Sequence, residues 1–485
     1  MSCVSAFFQS LQQTLTRLFV LCMLPAFVIA QQVESVLPPG IQLVISGHKL
    51  PQSSYSFLVQ EINAVAPLLA INTGVPLNPA STMKTLTTLA GLEQLGPDYT
   101  WLTSIYALGT IEDGTLTGDL LIKGGGDPFL VEEHFRSMLK AVQRQGITRI
   151  SGNLVLDTAY FDPAVSTETS IDNQSGRAYN VLPNALSVNF QTVTFFFSPS
   201  ANGKDVVIHT DPVLPNLVIT NNLKLAEGAC TGYQRGIAFK EDSANPGSIT
   251  FSGNFPASCE QYRLPRAVLD APTYTFGMFQ LLWKELGGEF VGELRSSQAP
   301  ELQQPLLTWA SPPLSDVIRS INKFSNNLMT RHMLLTLGAE RYGAPATVEK
   351  GVQAATDYLV SRNIPVDGLV INNGAGLSRE ARMSTALLNG ILQRGYSISL
   401  MPEFIASLPI GGIDGTMRDR LSDASTRGNM HVKTGSLDEV AAVAGYVNAR
   451  SGKIYAVSGI LNHELADRGP GIELMDALLA WTYEQ

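Results

Sequence analysis

The sequence predicts an α/β sandwich with a large, mostly β region inserted into it. Helical periodicity and β-like runs occupy the two ends of the chain, whereas residues 98–267 alternate short β-rich runs with Gly, Pro, Asn and Asp turns. The chain has 485 residues, which at roughly 150 residues per domain suggests about three domains. We therefore predict a sandwich domain formed by residues 31–97 and 268–485, and an inserted region at 98–267 that comprises two subdomains.

The N-terminal part of the sandwich is predicted to begin with two β-like runs, 42–46 and 55–63, separated by a turn that contains Pro51. A helix follows from Pro79, because proline suits the first helical turn. Apolar residues then recur at helical spacing until the helix ends at 96–97. Ser81 lies in the first turn of this helix.

The remaining elements follow from the same two periodicities. In the inserted region we predict one helix at 131–145 and β-rich runs at 118–122, 152–157, 187–197, 206–210, 216–219 and 248–252. Helical patterns then return at 274–286, 314–337 and 348–362. The C-terminal part predicts a strand at 430–434, a hairpin of 440–448 and 453–461, and a closing helix at 472–483.

Composition excludes several classes of protein. Hydrophobic residues make up 45% of the chain and charged residues 15%, which excludes a disordered protein. The formal charge is −9 and no basic run interrupts the acidic excess, so we expect no nucleic-acid partner. No pair of histidines has the spacing of metal ligands, and we predict neither a metal site nor a cofactor. The histidines are His48, His134, His209, His332, His431 and His463.

The first thirty residues have the pattern of a secretory signal peptide. Arg17 precedes an apolar run at 18–29, and Val28 and Ala30 occupy the −3 and −1 positions of a small-residue cleavage site. We predict cleavage after Ala30 and export to the periplasm, with an uncleaved anchor as the alternative. Peripheral attachment to the inner membrane stays open.

Cysteine usage agrees with export. Cys3 and Cys22 would leave with the signal peptide, and Cys230 and Cys259 remain. An even pair in an oxidising compartment predicts a disulfide bond. Two buried free thiols are the alternative.

Three short motifs carry candidate chemistry. Ser81-Thr82-Met83-Lys84 places a hydroxyl and an amine on one face of a helix, and an amine whose pKa is lowered can activate a serine. The second motif is Ser325-Asn326-Asn327. The third, Lys433-Thr434-Gly435, lies on a predicted strand, where we expect Gly435 to let a substrate backbone approach. Each pattern alone is weak, since Ser-x-x-Lys also begins at Ser46, Ser137 and Ser320.

In their order and contexts the motifs resemble those of the serine penicillin-recognising enzymes. The long segment between the first and second motifs resembles the low-molecular-mass class C penicillin-binding proteins, which are the D-Ala-D-Ala carboxypeptidases and endopeptidases of family S13. The segments Gly374-Ala375-Gly376-Leu377-Ser378-Arg379 and Leu408-Pro409 through Gly415-Thr416-Met417 also match. The resemblance implies the α/β sandwich of the β-lactamase and transpeptidase type.

The resemblance also implies roles for individual residues. Ser81 would attack the carbonyl of the penultimate D-Ala with Lys84 as its base, and Ser325 would relay a proton to the leaving amine. Lys84 would take part with Ser325 in that relay. Asn327 would hold the peptide amide, and Lys433 would supply positive potential.

Substrate recognition is implied for a further set of residues. Thr434 would bind the terminal carboxylate, and the backbone N–H groups of Ser81 and Ser436 would form the oxyanion hole. Asp157 and Arg379 would clamp the zwitterionic end of a diaminopimelate side chain, and Phe161 would form a wall of the same pocket. Asp438 stands where the family often has Gln, so its carboxylate would either strengthen amine binding or repel the carboxylate.

The predicted function is that of a periplasmic serine D-Ala-D-Ala carboxypeptidase and DD-endopeptidase. Its partners would be peptidoglycan peptides that end in D-Ala-D-Ala or carry D-Ala-diaminopimelate cross-links, with β-lactams as covalent inhibitors. A β-lactamase, or a non-catalytic peptidoglycan-binding or penicillin-sensing protein, is the alternative. The sequence sets neither the balance of the two peptidase activities nor the oligomeric state.

Overall fold

A five-stranded antiparallel sheet forms the centre of the fold. The computed structural model describes residues 36–167, 171–174, 176–242 and 244–485. The predicted signal peptide, with Arg17, the cleavage site at Ala30, and Cys3 and Cys22, lies outside these residues. None of the described helices is both long and apolar enough to cross a membrane.

Helices of the described residues cover both faces of this sheet and part of the inserted region. The α-helices are α1 (Pro39–Gly47), α2 (Lys84–Leu95), α3 (Glu132–Arg144), α4 (Ala271–Glu285), α5 (Leu314–Phe324), α6 (Asn327–Tyr342), α7 (Val348–Ser361), α8 (Thr385–Ser397), α9 (Met401–Ser407) and α10 (Pro470–Tyr483). A short 3-10 helix, Ala80–Met83, leads directly into α2.

The strands of the described residues fall into four sheets. They are β1 (Tyr55–Glu61), β2 (Leu69–Ile71), β3 (Leu102–Glu112), β4 (Thr115–Lys123), β5 (Arg149–Ile150), β6 (Leu154–Asp157), β7 (Val193–Pro199), β8 (Val206–Asp211), β9 (Val218–Ala226), β10 (Ile237–Glu241), β11 (Ser248–Pro256), β12 (Tyr262–Arg266), β13 (Glu289–Phe290), β14 (Leu294–Ser296), β15 (Leu307–Ala310), β16 (Met430–Leu437), β17 (Val440–Asn448) and β18 (Ile454–Asn462).

The central sheet has the strand order β16-β17-β18-β1-β2 and is buried on both faces. Successive side chains of a strand point to opposite faces. Accordingly, Ala442 and Ala444 of β17 join the core that contains α2 and α8, whereas Ala441 and Val443 join the core that contains α1 and α10. The predicted α/β sandwich is thereby confirmed.

The inserted region extends further along the chain than predicted. Its largest sheet has the order β13-β5-β4-β3-β15 with β6 and β14 attached, and two three-stranded sheets have the orders β10-β11-β9 and β12-β7-β8. Strands β13, β14 and β15 pair with β5, β6 and β3, and α4 packs into the same core. Strand pairing therefore carries this region through Ala310, and not only to residue 267. Its division into two subdomains stays a prediction.

Two predicted elements were wrong. Residues 42–46 belong to helix α1, in which Pro39 occupies the first turn and Ile41, Val44 and Ile45 are buried at helical spacing. The helix predicted at 314–337 is two helices, because Ser325 adopts the left-handed conformation with φ of 55° and ends α5. Asn326 then caps α6 through a hydrogen bond from the Met329 amide to its side chain.

The predicted disulfide bond is confirmed. Cys230 and Cys259 are bonded to each other, with their Cα atoms 5.0 Å apart. Cys259 is buried in the core of the inserted region, and Cys230 packs against that core. The bridge therefore joins the segment that follows β9 to the segment that precedes β12.

Candidate active site

Ser81 lies on the 3-10 turn that precedes α2, and Lys84 is the first residue of that helix. The turn is held by Thr82, whose Oγ1 donates to the Pro79 carbonyl over 2.7 Å. One helical turn separates the two functional groups, so the Lys84 Nζ lies 2.9 Å from the Ser81 Oγ. The first motif thus has the geometry that its spacing predicts.

The Lys84 amine is buried among three oxygen atoms. Besides the Ser81 Oγ, its Nζ contacts the Asn327 Oδ1 at 2.7 Å and the Ala375 carbonyl at 2.8 Å. The Asn327 Nδ2 donates to the Tyr179 carbonyl at 3.1 Å, which leaves its Oδ1 facing Lys84. Since the amide oxygen and the carbonyl can only accept, a neutral amine donates to both and directs its lone pair at Ser81.

Lys84 has the properties of a base. Burial, followed by the positive charges of Lys433 and Arg331, lowers the pKa of Lys84 well below its usual range. Burial disfavours the charged ammonium, and each neighbouring cation disfavours it further. The amine can therefore take a proton from the hydroxyl that it contacts.

Ser325 is placed by the break between α5 and α6. Its left-handed backbone lies between the end of one helix and the cap of the next. The Lys433 Nζ donates to the Ser325 Oγ over 2.9 Å. The second and third motifs are thereby joined directly.

Lys433 lies on β16, the edge strand of the central sheet, and is fully buried. Its Nζ also donates to the Thr434 carbonyl at 2.7 Å. Burial lowers the pKa of Lys433 to about 7. The Thr434 Oγ1 is hydrogen-bonded to the Thr416 Oγ1 at 2.7 Å, so the segment at 415–417 supports the outer side of the third motif.

Gly435 is required for packing inside the protein. A Cβ atom at this position would lie 2.6 Å from the Pro79 carbonyl oxygen and 3.2 Å from the Ala80 Cβ. The expectation that Gly435 makes room for a substrate backbone is therefore replaced: its small size brings β16 against the turn that carries Ser81. Gly376, with φ of 72°, is equally restricted, because a Cβ there would overlap the Ala80 carbonyl oxygen.

These residues face a cleft of about 550 Å³ between the sandwich and the inserted region. One side of the cleft is lined by residues of the three motifs and the residue that follows the third, namely Ser81, Ser325, Asn327 and Ser436. A loop of the inserted region supplies the other side, including Asp172, Gln174, Arg177 and Tyr179. Among the described residues no group of three or more His, Cys, Asp and Glu side chains has an arrangement that could hold a metal ion.

Arg379 is paired with acidic residues other than the predicted one. Its Nε and Nη2 donate to the Asp172 carboxylate at 3.2 and 2.8 Å. It also donates to the Asp438 carbonyl at 2.7 Å and to the Asp438 Oδ2 at 3.2 Å. Asp438 therefore lies beside Arg379 and lines the cleft.

Asp157 and Phe161 do not line this cleft. Asp157 is buried at the end of β6, and its two carboxylate oxygens accept hydrogen bonds from the Ala159 and Ala299 amides at 3.0 and 2.8 Å. Phe161 is buried in a small apolar cluster, with its ring centroid 5.3 Å from that of His332. Asp157 is therefore not beside Arg379, and the carboxylates that pair with Arg379 are those of Asp172 and Asp438.

Sequence reasoning missed several residues of the cleft. Asp172 and Tyr179 lie in a loop without periodicity, so no local pattern marks them. Thr416 and Ala375 belong to segments that the resemblance singled out, yet their contacts with Thr434 and Lys84 depend on tertiary packing.

The chain is similar to a named carboxypeptidase and to solved structures. A protein of Haemophilus influenzae named D-alanyl-D-alanine carboxypeptidase DacB is 26% identical over 423 residues, which cover 86% of this chain and 88% of the relative. The crystal structure of penicillin binding protein 4 (dacB) from the same organism shares the fold with a TM-score of 0.79 and 24% identity, covering 92% of this chain and 99% of that chain. A structure of that protein complexed with a β-lactam gives a TM-score of 0.76 at 23% identity. The alignment covers 93% of this chain and 100% of that chain.

The family match spans nearly all the described residues. Residues 40–484 match the D-Ala-D-Ala carboxypeptidase 3 (S13) family. The match includes both halves of the sandwich, the inserted region and all three motifs. The chain therefore belongs to the D-Ala-D-Ala carboxypeptidase 3 (S13) family.

Proposed function

We propose that this protein is a penicillin-binding serine carboxypeptidase and DD-endopeptidase that removes or cuts at D-Ala residues of peptidoglycan stem peptides. One observation carries the proposal: in a chain of this family, the buried Lys84 amine lies 2.9 Å from the Ser81 hydroxyl and has two other partners that can only accept hydrogen bonds. This arrangement supports a serine nucleophile with a neutral lysine as its base.

Acylation begins with proton transfer from the Ser81 Oγ to Lys84. The Oγ attacks the carbonyl carbon of the penultimate D-Ala, and the negative charge moves to the carbonyl oxygen. The N–H groups of Ser81 and Ser436 are the proposed donors to that oxygen, and a donor of this kind is worth about 3–4 kcal/mol in other acyl-transfer enzymes. Ser81 lies at the start of a helical turn, where backbone N–H groups have no partner within the helix.

Departure of the leaving amine requires a proton. Ser325 is suited to relay it: its hydroxyl, whose Oγ accepts a hydrogen bond from Lys433, would pass its proton to the leaving nitrogen and regain the proton that Lys84 took from Ser81. The amine that leaves is free D-Ala in the carboxypeptidase reaction and the cross-linking residue of a second stem in the endopeptidase reaction. Both reactions share the Ser81 acyl-enzyme, which water then hydrolyses.

Substrate recognition is assigned to the rim of the cleft. Thr434 and the positive potential of Lys433 would hold the terminal carboxylate, and Asn327 would bind the peptide amide. Arg379, with Asp172 and Asp438, forms a group of one positive and two negative charges that suits the zwitterionic end of a diaminopimelate side chain. Binding would require the substrate to replace part of the Arg379–Asp172 ion pair.

We also propose that the protein is exported and cleaved after Ala30. The disulfide bond between Cys230 and Cys259 supports an oxidising compartment such as the periplasm.

Covalent labelling by a fluorescent penicillin tests the nucleophile. Ser81→Ala should abolish labelling, and Lys84→Ala should reduce it nearly as much, because the two groups act as a unit. Ser320→Ala, which alters another Ser-x-x-Lys sequence, is the matched control and should label normally. Labelling that survives in Ser81→Ala, or is lost in Ser320→Ala, contradicts the assignment.

Two further measurements separate the alternatives. A penicilloyl-enzyme half-life of seconds would favour a β-lactamase, whereas hours would support the peptidase. Mass spectrometry of digested muropeptides should show loss of D-Ala and cleavage of cross-links. Binding of muropeptides without either product would indicate a non-catalytic wall-binding protein.

A further inference from the structure

A second cavity, of about 440 Å³, adjoins the catalytic cleft on the side of the inserted region. Gln174 and Arg177 line both the cleft and this cavity, so the two spaces share a wall. The remaining lining comes mainly from β10, the end of β12 and the short helix Tyr233–Gly236. The mechanism proposed above uses none of these residues.

The cavity is positively charged in a protein that is negatively charged overall. Three cationic side chains line it, from Arg177, Lys240 and Arg266, against one carboxylate, from Glu241. The whole chain has a formal charge of −9. Within the described ranges, none of these three cations has a carboxylate within salt-bridge distance, whereas Arg379 is paired with two carboxylates of the main cleft, those of Asp172 and Asp438.

Arg266 is the clearest sign of a binding function. Its side chain is nearly inaccessible, with 3% of the residue exposed, and it lies over the Phe239 ring at 5.2 Å from the centroid. Its guanidinium donates to the Gln234 side-chain oxygen and to the Pro265 carbonyl. The Nε has no hydrogen-bond partner among the described residues. A buried guanidinium without a counter-ion is costly, because its charge has lost water and gained only neutral acceptors.

The backbone holds a second arginine beside the first. Arg177 and Arg266 face each other in an antiparallel β-bridge, and the Ala267 amide donates to the Gly176 carbonyl at 3.1 Å. The Arg177 Nε donates to the Gln174 Oε1 at 3.0 Å, and its guanidinium stacks over the Tyr233 ring. Burial, followed by the charge of Arg177, lowers the pKa of Arg266. Two like charges are therefore held close together, and neither is paired with a carboxylate of the described residues.

We infer that this cavity is a subsite for a carboxylate of the peptide whose D-Ala terminus occupies the Ser81 cleft. The inference rests on the proposed function, which supplies the substrate. Peptidoglycan stem peptides carry free carboxylates on residues that precede their terminal D-alanines, and the shared wall of Gln174 and Arg177 connects the two spaces. A planar carboxylate matches the forked donors of a guanidinium.

Paired substrates test the inference. Both synthetic peptides end in D-Ala-D-Ala and contain one glutamate residue before the two D-alanines. They differ only in whether the carboxylate of that glutamate is free or amidated. The wild-type protein should prefer the free carboxylate by about tenfold in kcat/KM, the effect of one charge-assisted hydrogen bond. Arg266→Gln should abolish this preference, and Arg266→Lys should restore part of it.

Arg263→Gln is the matched control, because Arg263 lies on the same strand and stacks over the Phe196 ring but does not line the cavity. It should retain the full preference. Stoichiometric labelling by penicillin verifies that each variant is folded. If Arg266→Gln does not label, Arg177→Gln makes the same comparison at a half-buried position.

The possible outcomes are distinct. Equal kcat/KM of the wild-type protein for the free and amidated peptides overturns the inference, as does an Arg266→Gln variant that keeps the preference. Loss of preference in Arg263→Gln also overturns it, since the effect would then be a general one of charge. If the wild-type protein neither labels with penicillin nor hydrolyses either peptide, the proposed function fails and the subsite fails with it.

Discussion

Replacing Asn327 by Asp should shift the pH dependence of Ser81 acylation to higher pH. The Asn327 Oδ1 lies 2.7 Å from the Lys84 Nζ, and the lysine is fully buried. An aspartate would put a negative charge beside the amine that is proposed to act as the base. The charge stabilises the ammonium form, so the pKa of Lys84 rises and less neutral amine is present at a given pH.

The size of the shift can be worked from the geometry. Two opposite unit charges 2.7 Å apart attract by about 6 kcal/mol at an effective dielectric constant of about 20. Desolvation of the new carboxylate opposes this attraction. We therefore expect the acid limb of the acylation profile to move up by about 1–3 pH units, the range for a close opposite charge. Below the new midpoint, each unit corresponds to a tenfold lower rate.

The assay is the rate constant for acylation by a fluorescent penicillin, measured from pH 5 to pH 10. Asn327→Leu is the matched control, because it also loses the hydrogen bonds to Lys84 and to the Tyr179 carbonyl but adds no charge. It should lower the rate without an alkaline shift. Identical midpoints for the Asp variant, the Leu variant and the wild-type protein would refute the assignment of Lys84 as the base.

Three other predictions concern charged residues. Asp172→Ala and Arg379→Ala should each lower kcat/KM for a diaminopimelate peptide by about 10- to 100-fold more than they lower acylation by a simple penicillin, as measured by steady-state kinetics; equal losses would contradict the clamp. Asp157→Ala should instead destabilise the fold by about 2–4 kcal/mol in urea unfolding, since it leaves two backbone amides unpaired. Burial raises the pKa of Asp127 to about 7, so its contribution to stability is lost as the pH rises towards and through 7. Asp127→Asn should therefore raise the free energy of unfolding by up to about 4 kcal/mol at pH 8 and much less at pH 5, and an equal gain at both pH values would contradict this.

The first motif was predictable because its geometry is local. Ser81 and Lys84 lie three residues apart on helical backbone, and helical spacing alone brings a hydroxyl and an amine into contact. The contacts of Lys84 with Asn327 and of Lys433 with Ser325 are different, since they join residues far apart in the chain. The order of the motifs, and the family that this order resembles, placed these residues in one site but did not predict the two contacts.

The break at Ser325 shows why periodicity failed at the second motif. Apolar residues continue on both sides of the break, with Ile321 buried in α5 and Leu328 in α6, so the pattern indicates one helix. The left-handed conformation of Ser325 costs of order 1–2 kcal/mol for a residue other than glycine. The Asn326 cap was the available local signal, because asparagine is a favoured first residue of a helix.

Asp172 illustrates a limit of a different kind. A loop residue has no hydrophobic period, and its partner Arg379 is remote in the chain. Asp157, which was predicted in its place, lies at the end of β6. Its carboxylate is the acceptor for two backbone amides, those of Ala159 and Ala299. The same residue type therefore serves the fold in one case and lines the cleft in the other, and the two differ in burial, since Asp157 is buried and Asp172 is exposed.

The two buried lysines connect substrate binding to the strength of the base. Lys433 donates to Ser325 and also contributes to the low pKa of Lys84. A substrate carboxylate bound at Thr434 would neutralise part of the positive potential that Lys433 exerts on Lys84. By the sign of that interaction, the pKa of Lys84 is lowest in the empty cleft and rises when the carboxylate binds. The bound carboxylate would thus make Lys84 a stronger base, and the neutral amine that takes the Ser81 proton would predominate only at pH values above the raised pKa.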